Sequence, residues 1–289
     1  MANVEIAPLS ATLREKETTL RATLQGLGRS IIAFSGGVDS AYLLKVAREE
    51  LGDRAVGIIG ISPSLMPEEY ADAQCLADAI GTPLRVVETH EIDDADYAAN
   101  PTNRCYFCKS HLFDVLGKIA QEEEFDTVCD GTNLDDLKEW RPGAKAGDER
   151  GVRSPLREAN LTKAEIRALS LEAGLPTWDK PAMPCLSSRI PYGTPVTREA
   201  LIMIGRAEAW LRIQGIREFR VRHHDENGTL TARIEADPEE MSNVFAMRTD
   251  LTAALRKLGY NLVTLDLEGY RRGKLNDKIA PQPVVFHLS

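Results

Sequence analysis

The sequence predicts an α/β protein, a doubly wound parallel sheet followed by a smaller C-terminal α+β domain. Strand-length runs at 31–34, 55–61, 84–88 and 127–129, the first two apolar throughout, alternate with stretches of helical apolar spacing. The first run leads directly into Ser35-Gly36-Gly37-Val38-Asp39-Ser40 and then into a helix. That order aims backbone N–H groups and a positive helix end at one small volume, where an anion belongs. Beyond residue 175 a proline-rich stretch separates this pattern from a second one of short strands and helices.

Taken in order, residues 8–27 carry Leu9, Leu13, Leu20, Leu24 and Leu27 among charges, an amphipathic helix leading to the first strand. After the glycine turn, Ala41, Leu43, Leu44, Val46, Ala47 and Leu51 repeat at helical spacing. The second strand, 55–61, is ended by Ser62-Pro63-Ser64, and Pro67 opens a helix to about residue 80. A third strand at 84–88 precedes a polar, irregular segment over 93–102. Residues 103–109 then start a helix on which Leu112, Val115, Leu116 and Ile119 share a face. The fourth strand, 127–129, runs into Asp130-Gly131-Thr132-Asn133-Leu134-Asp135-Asp136. Gly, Arg and Asp dominate 141–153, which reads as a mobile loop, and a helix over 163–173 closes the first domain.

These signals give a first domain over 1–180, a cysteine-bearing linker over 181–196 and a C-terminal domain over 197–289. The last contains a helix at 198–213, strands at 218–223 and 229–235 around a 225–228 turn, a long helix at 238–258 and a strand at 262–265. The tail from 269 is expected to be irregular and to reach a neighbouring subunit.

The 289 residues are 43% hydrophobic and 27% charged, values of a soluble globular protein. No apolar run approaches membrane-spanning length and no basic-then-apolar signal opens the chain, so a cytoplasmic protein without a membrane partner is expected. A net charge of −9 argues against a nucleic-acid partner. Five cysteines, an odd number, argue against a disulfide framework and toward metal or sulfur chemistry.

In the glycine turn, Gly36 and Gly37 permit close approach of a ligand, and Ser35 and Ser40 add hydroxyls. Asp39 beside a phosphate is repulsive unless a cation lies between them, which makes it a ligand or orienter of Mg²⁺. The stretch lacks both the Gly-Lys-Ser/Thr ending of a Walker loop and a G-x-G-x-x-G fingerprint. It resembles the pyrophosphate loop of the N-type ATP pyrophosphatases, and the Gly131–Asp136 stretch is a second likeness to that superfamily. The resemblance implies cleavage of ATP between its α and β phosphates, with Ser35, Gly36, Gly37, Val38, Asp39 and Ser40 around the phosphates. It also implies adenine against Ile61 and Ser62, with Gly131, Thr132 and Asp135 beside the nucleotide. Asp39 is joined by Asp135 or Asp136 on Mg²⁺, Asp136 being the one assigned.

Cys105-x-x-Cys108 at a helix start suits metal chelation, a redox dithiol or neither. Cys185, held between prolines with Arg189 nearby, would supply the third thiolate of a [4Fe–4S] cluster with one open iron. Zinc is the rival metal, although a structural zinc wants a fourth ligand. Cys75 and Cys129 read as packed core thiols.

Asn103–Lys109 (NRCYFCK), CLSSRIPYG at 185–193 and VTLDLEGYRRGKLN at 263–276 together resemble the LarE family of ATP-dependent sulfur transferases, over nearly the whole chain. This implies adenylation of a carboxylate of pyridinium-3,5-biscarboxylic acid mononucleotide, then displacement of AMP by sulfur to leave a thiocarboxylate. In one type of member a cysteine at the position of Cys185 gives up its own sulfur. In the other, three cysteines hold a [4Fe–4S] cluster that carries the sulfide. The presence of Cys105 and Cys108 favours the cluster, which an external sulfide or persulfide donor would recharge. Arg189 is assigned to lower the thiol pKa of Cys185.

For the substrate phosphate, Arg220 and Arg222 alternate on one strand and so share a face, and Arg189 and Arg271 are further candidates. Glu208 and Glu235 are acids for a divalent metal that the reading sets aside, and His223-His224 is expected to be solvated. The family likeness also suggests a homo-oligomer, a hexamer among the options. Two rivals share the loop. A tRNA thiolase would want a basic surface, and an ammonia-using synthetase of the NAD or GMP type gives no reason for three placed cysteines.

Overall fold

Apolar alternation builds the first sheet. β1 (Ser30–Ala33), β2 (Ala55–Ile61), β3 (Leu84–Glu88) and β4 (Thr127–Cys129) are all parallel, in the order β3-β2-β1-β4. In this computed structural model, which describes residues 9–138, 142–181, 183–271 and 274, the doubly wound α/β class is borne out. Helices α1 (Ala11–Gln25), α2 (Val38–Leu51), α3 (Pro67–Ile80), α5 (Arg104–Glu122), α6 (Pro142–Asp148), α7 (Pro155–Glu158) and α8 (Lys163–Glu172) follow the chain around these strands, while α4 (Ala95–Ala98) belongs to the second unit. Because strand side chains alternate, Ile32 and Ile59 join Leu20, Leu24, Leu43, Leu44, Ile166 and Leu169 in one core. Ile31 and Ile58 join Phe113 and Leu116 of α5 in the other. Each fully buried aliphatic side chain contributes about 1.5–3 kcal/mol, so the two faces hold the sheet from both sides.

Helix starts follow local chemistry. Ser10 caps α1 by accepting from the Leu13 N–H at 3.2 Å. At α8, Thr162 Oγ1 accepts from Glu165 N–H at 3.3 Å and Glu165 Oε2 accepts from Thr162 N–H at 2.8 Å, a reciprocal capping box. This fixes Lys163 as the first residue of α8.

The chain divides into two units, Met1–Glu91 with Asn103–Met183, and Ile92–Thr102 with Pro184–Ser289. Segment 92–102, which the sequence places within the first domain, therefore groups with the second unit. That unit contains α9 (Arg198–Ile213), β5 (Phe219–Glu226), β6 (Thr229–Ala236), α10 (Met241–Ala246), α11 (Arg248–Lys257) and β7 (Leu262–Leu265). β5 and β6 are antiparallel and β7 is parallel to β6. Asn227 and Gly228, both at positive φ, close the β5–β6 hairpin. Leu211, Phe219, Val221, Ile234, Leu251 and Leu255 form the core of this unit. No helix among the described residues is long and apolar enough to cross a membrane.

Four expectations are corrected. Residues 142–148 are helical rather than a loop, because α6 packs its Gly143 and Gly147 against Lys109 and Phe113 of α5. The single helix expected over 238–258 is two, with Met247 ending α10 and starting α11. Cys75 is exposed, since α3 buries Ala73, Leu76 and Ala77 and its neighbour 75 points elsewhere. His223 is buried at 4% exposure, its Nδ1 lying 3.2 Å from the Tyr260 hydroxyl. The tail beyond residue 274 lies outside the described residues.

Burial pushes the His223 pKa below its ordinary 6.5, with Asp225 opposing. Below that pH the unfolded chain takes a proton that the folded chain refuses. Stability from this group is thus complete above pH 6.5 and is lost as pH falls. Urea midpoints should drop from pH 6.5 to roughly 5, and His223→Gln should flatten that drop. An equal drop in the variant would assign the acid sensitivity to other groups.

Candidate active site

The loop after β1 is built to stay open to an anion. Gly36 has φ +69°, and a Cβ there would lie 3.0 Å from the Cβ of Ala73 on α3. Gly37 enters α2 from extended backbone, so the helix begins at Val38. Ser40 locks the turn. Its Oγ accepts from Ser35 N–H at 3.2 Å, lies 3.1 Å from Ser35 Oγ and is 3.2 Å from the Gly37 carbonyl, to which it donates. The first-turn N–H groups of this 14-residue helix lack intrahelical partners, and they sit at the positive end of its dipole.

β1 lies between β2 and β4, so the carboxyl ends of β1 and β4 form the switch point of the sheet. Gly131, just past β4, reaches the glycine loop directly. A Cβ on it would meet Ser40 N at 2.9 Å, Ser40 Cα at 3.2 Å and the Asp39 carbonyl carbon at 3.3 Å, all backbone atoms. The rest of this turn is braced internally. Asp130 accepts from Thr132 Oγ1 at 2.6 Å and from Ser154 Oγ at 2.7 Å. Asp136 Oδ2 accepts from Asn133 N–H at 3.1 Å, and Asp135 Oδ2 accepts from the Lys163 N–H at 2.9 Å. Both acids that the sequence offers to Mg²⁺ thus hold backbone in place.

Asp39 differs from them. Its Oδ2 accepts from Lys163 Nζ in a close ion pair, and its Oδ1 is buried with no hydrogen-bond partner among the described residues. A buried carboxylate oxygen without a donor is costly and fits a cation. Mg²⁺ is ordinarily held by one or two carboxylates plus phosphates and water, so one such oxygen suffices. Lys163 is a functional candidate that the sequence reading missed. Its capping box locates it at a helix start, but nothing in the sequence pairs it with a residue 124 positions away. At the residues expected against adenine, Ile61 accepts from Thr89 N–H at 2.9 Å, and Ser62 Oγ lies 2.7 Å from Ser64 Oγ. Ser64 Oγ in turn donates at 3.3 Å to Glu91, whose other carboxylate oxygen is buried without a partner among the described residues.

Cys105 is exposed and Cys108 half-buried in the first turn of α5, within the first unit. Cys185 is half-buried in the second unit and caps a 3-10 turn over Leu186–Arg189. Among the described residues, no three His, Cys, Asp or Glu side chains are gathered as a metal site. Cys129 is buried, and burial beside Asp130 pushes its thiol up to about 12, which makes it inert.

Arg189 takes a different part from the one assigned to it. Fully buried, it makes a fork with Glu208, Nε to Oε1 and Nη2 to Oε2, both at 2.9 Å. Its Nη1 donates to the carbonyls of Cys185 at 3.1 Å and of Pro184, and to Ser188 Oγ at 2.9 Å. The guanidinium thus fixes the backbone that carries Cys185. Arg222 does the same from β5, donating to Glu235 at 2.8 Å and to the Ser188 carbonyl at 2.8 Å. Glu208 and Glu235 are therefore the counterions of these arginines. Arg220 shares β5 with Arg222 but has no carboxylate partner among the described residues. It donates to the Phe219 carbonyl at 2.6 Å and to the Tyr270 hydroxyl at 3.3 Å, and it sits 4.8 Å from that ring's centre. Burial, then the charge of Arg189, pushes its pKa down. Arg271 is exposed.

No protein-family model matches the chain. Uncharacterized protein slr1717 of Synechocystis sp. is 48% identical over 266 residues, covering 91% of this chain and 98% of that protein. The tRNA-5-methyluridine(54) 2-sulfurtransferase of Pyrococcus horikoshii is 35% identical over 115 residues, covering 37% of this chain and 36% of that enzyme. Pyridinium-3,5-bisthiocarboxylic acid mononucleotide synthase of Lactiplantibacillus plantarum is 36% identical over 270 residues, 93% of this chain and 96% of the synthase. With the glycine loop in place at the switch point and the likeness running end to end, this chain belongs to the LarE family of ATP-dependent sulfurtransferases.

Proposed function

We propose that the chain converts a carboxylate of pyridinium-3,5-biscarboxylic acid mononucleotide into a thiocarboxylate in two steps. A carboxylate oxygen attacks the α-phosphorus of ATP, the bond to the bridging β-phosphate oxygen breaks, and pyrophosphate leaves. The acyl adenylate so formed has AMP as its leaving group, which a free carboxylate lacks. Sulfur then attacks the acyl carbon and AMP departs. The observation that carries this reading is the loop of Ser35–Ser40, braced by Gly131 and open at a helix start, in a chain 93% of which matches the synthase.

The α2 amides, with Ser35 and Ser40, stabilise charge on the departing pyrophosphate. Asp39 would hold Mg²⁺, which when bound supplies positive charge to the phosphates. Lys163 already places an ammonium on the same carboxylate. Among the described residues of the second unit, the buried guanidiniums of Arg189, Arg220 and Arg222 are accompanied by two buried carboxylates, Glu208 and Glu235. The surplus positive charge of Arg220 suits the substrate phosphate. The tRNA thiolase covers only 37% of this chain and the net charge is −9, so an RNA substrate is not part of the reading.

Sulfur comes by one of two routes. Cys105, Cys108 and Cys185 are three thiols outside the core and suit a three-ligand [4Fe–4S] cluster, whose fourth iron would supply the sulfide to be transferred. Alternatively Cys185 attacks as thiolate, and loss of its Cα proton breaks its Cβ–S bond, leaving dehydroalanine in the chain and thiocarboxylate on the product. Under the cluster route, protein purified without oxygen should carry about four irons with acid-labile sulfide, lost in Cys105→Ala and in Cys185→Ala. Iron-free protein whose mass falls by one H₂S after turnover would assign the sulfur to Cys185.

For the first step, Lys163→Ala should lower substrate-dependent pyrophosphate release by roughly ten- to a hundredfold, the worth of one charge-assisted bond. Lys163→Arg should recover part of it. A Lys163→Ala enzyme with unchanged pyrophosphate release would remove Lys163 from the site.

A further inference from the structure

The loop that carries Cys185 is gripped by a segment of chain lying far from it in sequence. Residues 92–102 belong to the second unit although the chain on either side of them belongs to the first. Their attachments form a row. Asp93 accepts from Arg198 at 2.8 and 2.9 Å, and the buried Tyr97 hydroxyl lies 2.7 Å from the buried Ser187 Oγ. The Ala98 carbonyl accepts from Val196 N–H at 2.8 Å, and the Asn100 carbonyl accepts from Gly193 N–H at 2.9 Å. Asn100 contributes most. Its Nδ2 donates to the carbonyls of Pro191 and Thr194, both at 2.8 Å, and lies 3.4 Å from that of Ile190.

Two requirements meet at Asn100, and together they select its residue type. Its φ is +55°, in the left-handed region that asparagine, aspartate and glycine tolerate best. It is also fully buried against a loop whose carbonyls, lacking sheet or helix partners, need donors. Its amide nitrogen carries two protons, which match the two 2.8 Å acceptors. Glycine would keep the backbone angle and lose both donors, and aspartate would present carboxylate oxygens to carbonyl oxygens. Leu186–Arg189 is thus held on one side by Arg189 through the carbonyls of Pro184 and Cys185, and on the other by Tyr97 and Asn100. Between these anchors the Cys185 side chain stays half-buried, and a reagent can reach it.

We propose that Asn100 is a positioning residue for Cys185, its side-chain amide closing the 190–194 loop so that the thiol is presented in one place. The proposal rests on the reading of Cys185 as the sulfur-transfer cysteine, but its physical content does not need turnover to be measured. The full-length protein, free of iron, is treated with iodoacetamide, and modification of Cys185 and of exposed Cys75 is followed by peptide mass. Cys75, in the first unit, is the internal reference. In Asn100→Gly the Cys185 rate should rise about tenfold, as expected when the bonds that close a loop are removed, with Cys75 unchanged. Tyr97→Phe, which removes one bond without touching the backbone, should give a smaller rise of the same kind. In wild type and variants supplied with ATP and the biscarboxylate mononucleotide, thiocarboxylate formed per pyrophosphate released should fall in the order of those rises.

Unchanged Cys185 reactivity in folded Asn100→Gly would overturn the proposal. Where that variant melts below the assay temperature, Tyr97→Phe decides, and a Cys185 rate equal to wild type there overturns it too. A rise in reactivity together with a wild type that makes no thiocarboxylate would keep the clamp and discard the proposed reaction.

Discussion

The nucleotide half of this protein depends on one close approach. With Gly131 lying where a Cβ would stand 2.9 Å from Ser40 N, the turn after β4 is pressed onto the start of α2. That approach is available only because β1 sits between β2 and β4, so that the two loops leave adjacent strand ends. Its consequences spread outward. The Asp130–Ser154 and Asp135–Lys163 bonds tie the same turn to the starts of α7 and α8, and α8 delivers Lys163 to Asp39. The proposed phosphate site is thus assembled from backbone and helix ends. Such groups cost little to hold open, whereas a cluster of side-chain cations would repel one another.

Much of this is legible in the sequence. Ala55–Ile61 is a continuous apolar run bounded by turn residues, the look of a buried parallel strand. The glycine turn was legible because few sequences place Ser-Gly-Gly and Asp-Ser between a strand and a helix. What could not be read were choices of partner. Arg189 has Cys185 four residues away in sequence, yet its fork goes to Glu208 on a separate helix, because a buried guanidinium must find a buried carboxylate. Asp135 and Asp136 look like metal ligands until the loop needs acceptors for its own N–H groups. The allegiance of residues 92–102 was hidden for the same reason. Their polar character reads as a loop, and only the carbonyls of 190–194 show what the polarity is for.

The second unit takes a different physical route. Arg189 and Glu208 are both fully buried, and breaking such a pair costs about 3–5 kcal/mol, although replacing it whole with apolar groups is often neutral. Net stability is therefore a poor reason for its presence. Geometry is a better one. Glu208 also accepts from the Val221 N–H at 3.1 Å and Arg222 also holds the Ser188 carbonyl, so the pairs register the cysteine loop against β5. The fixed point of the network is the backbone around Cys185.

Under the proposed reaction that rigidity answers a chemical problem. Water competes with sulfur for an activated acyl group, and nothing in the first step prevents it. The competition is decided by how much ordering remains to be done when the adenylate forms, since a nucleophile already in position reacts with an effective molarity far above that of a mobile one. In this fold the ordering of the Cys185 loop is completed by Arg189, Arg222, Tyr97 and Asn100 without any ligand. A cluster ligand and a sulfur donor need the same fixed thiol, so the loop serves either sulfur route.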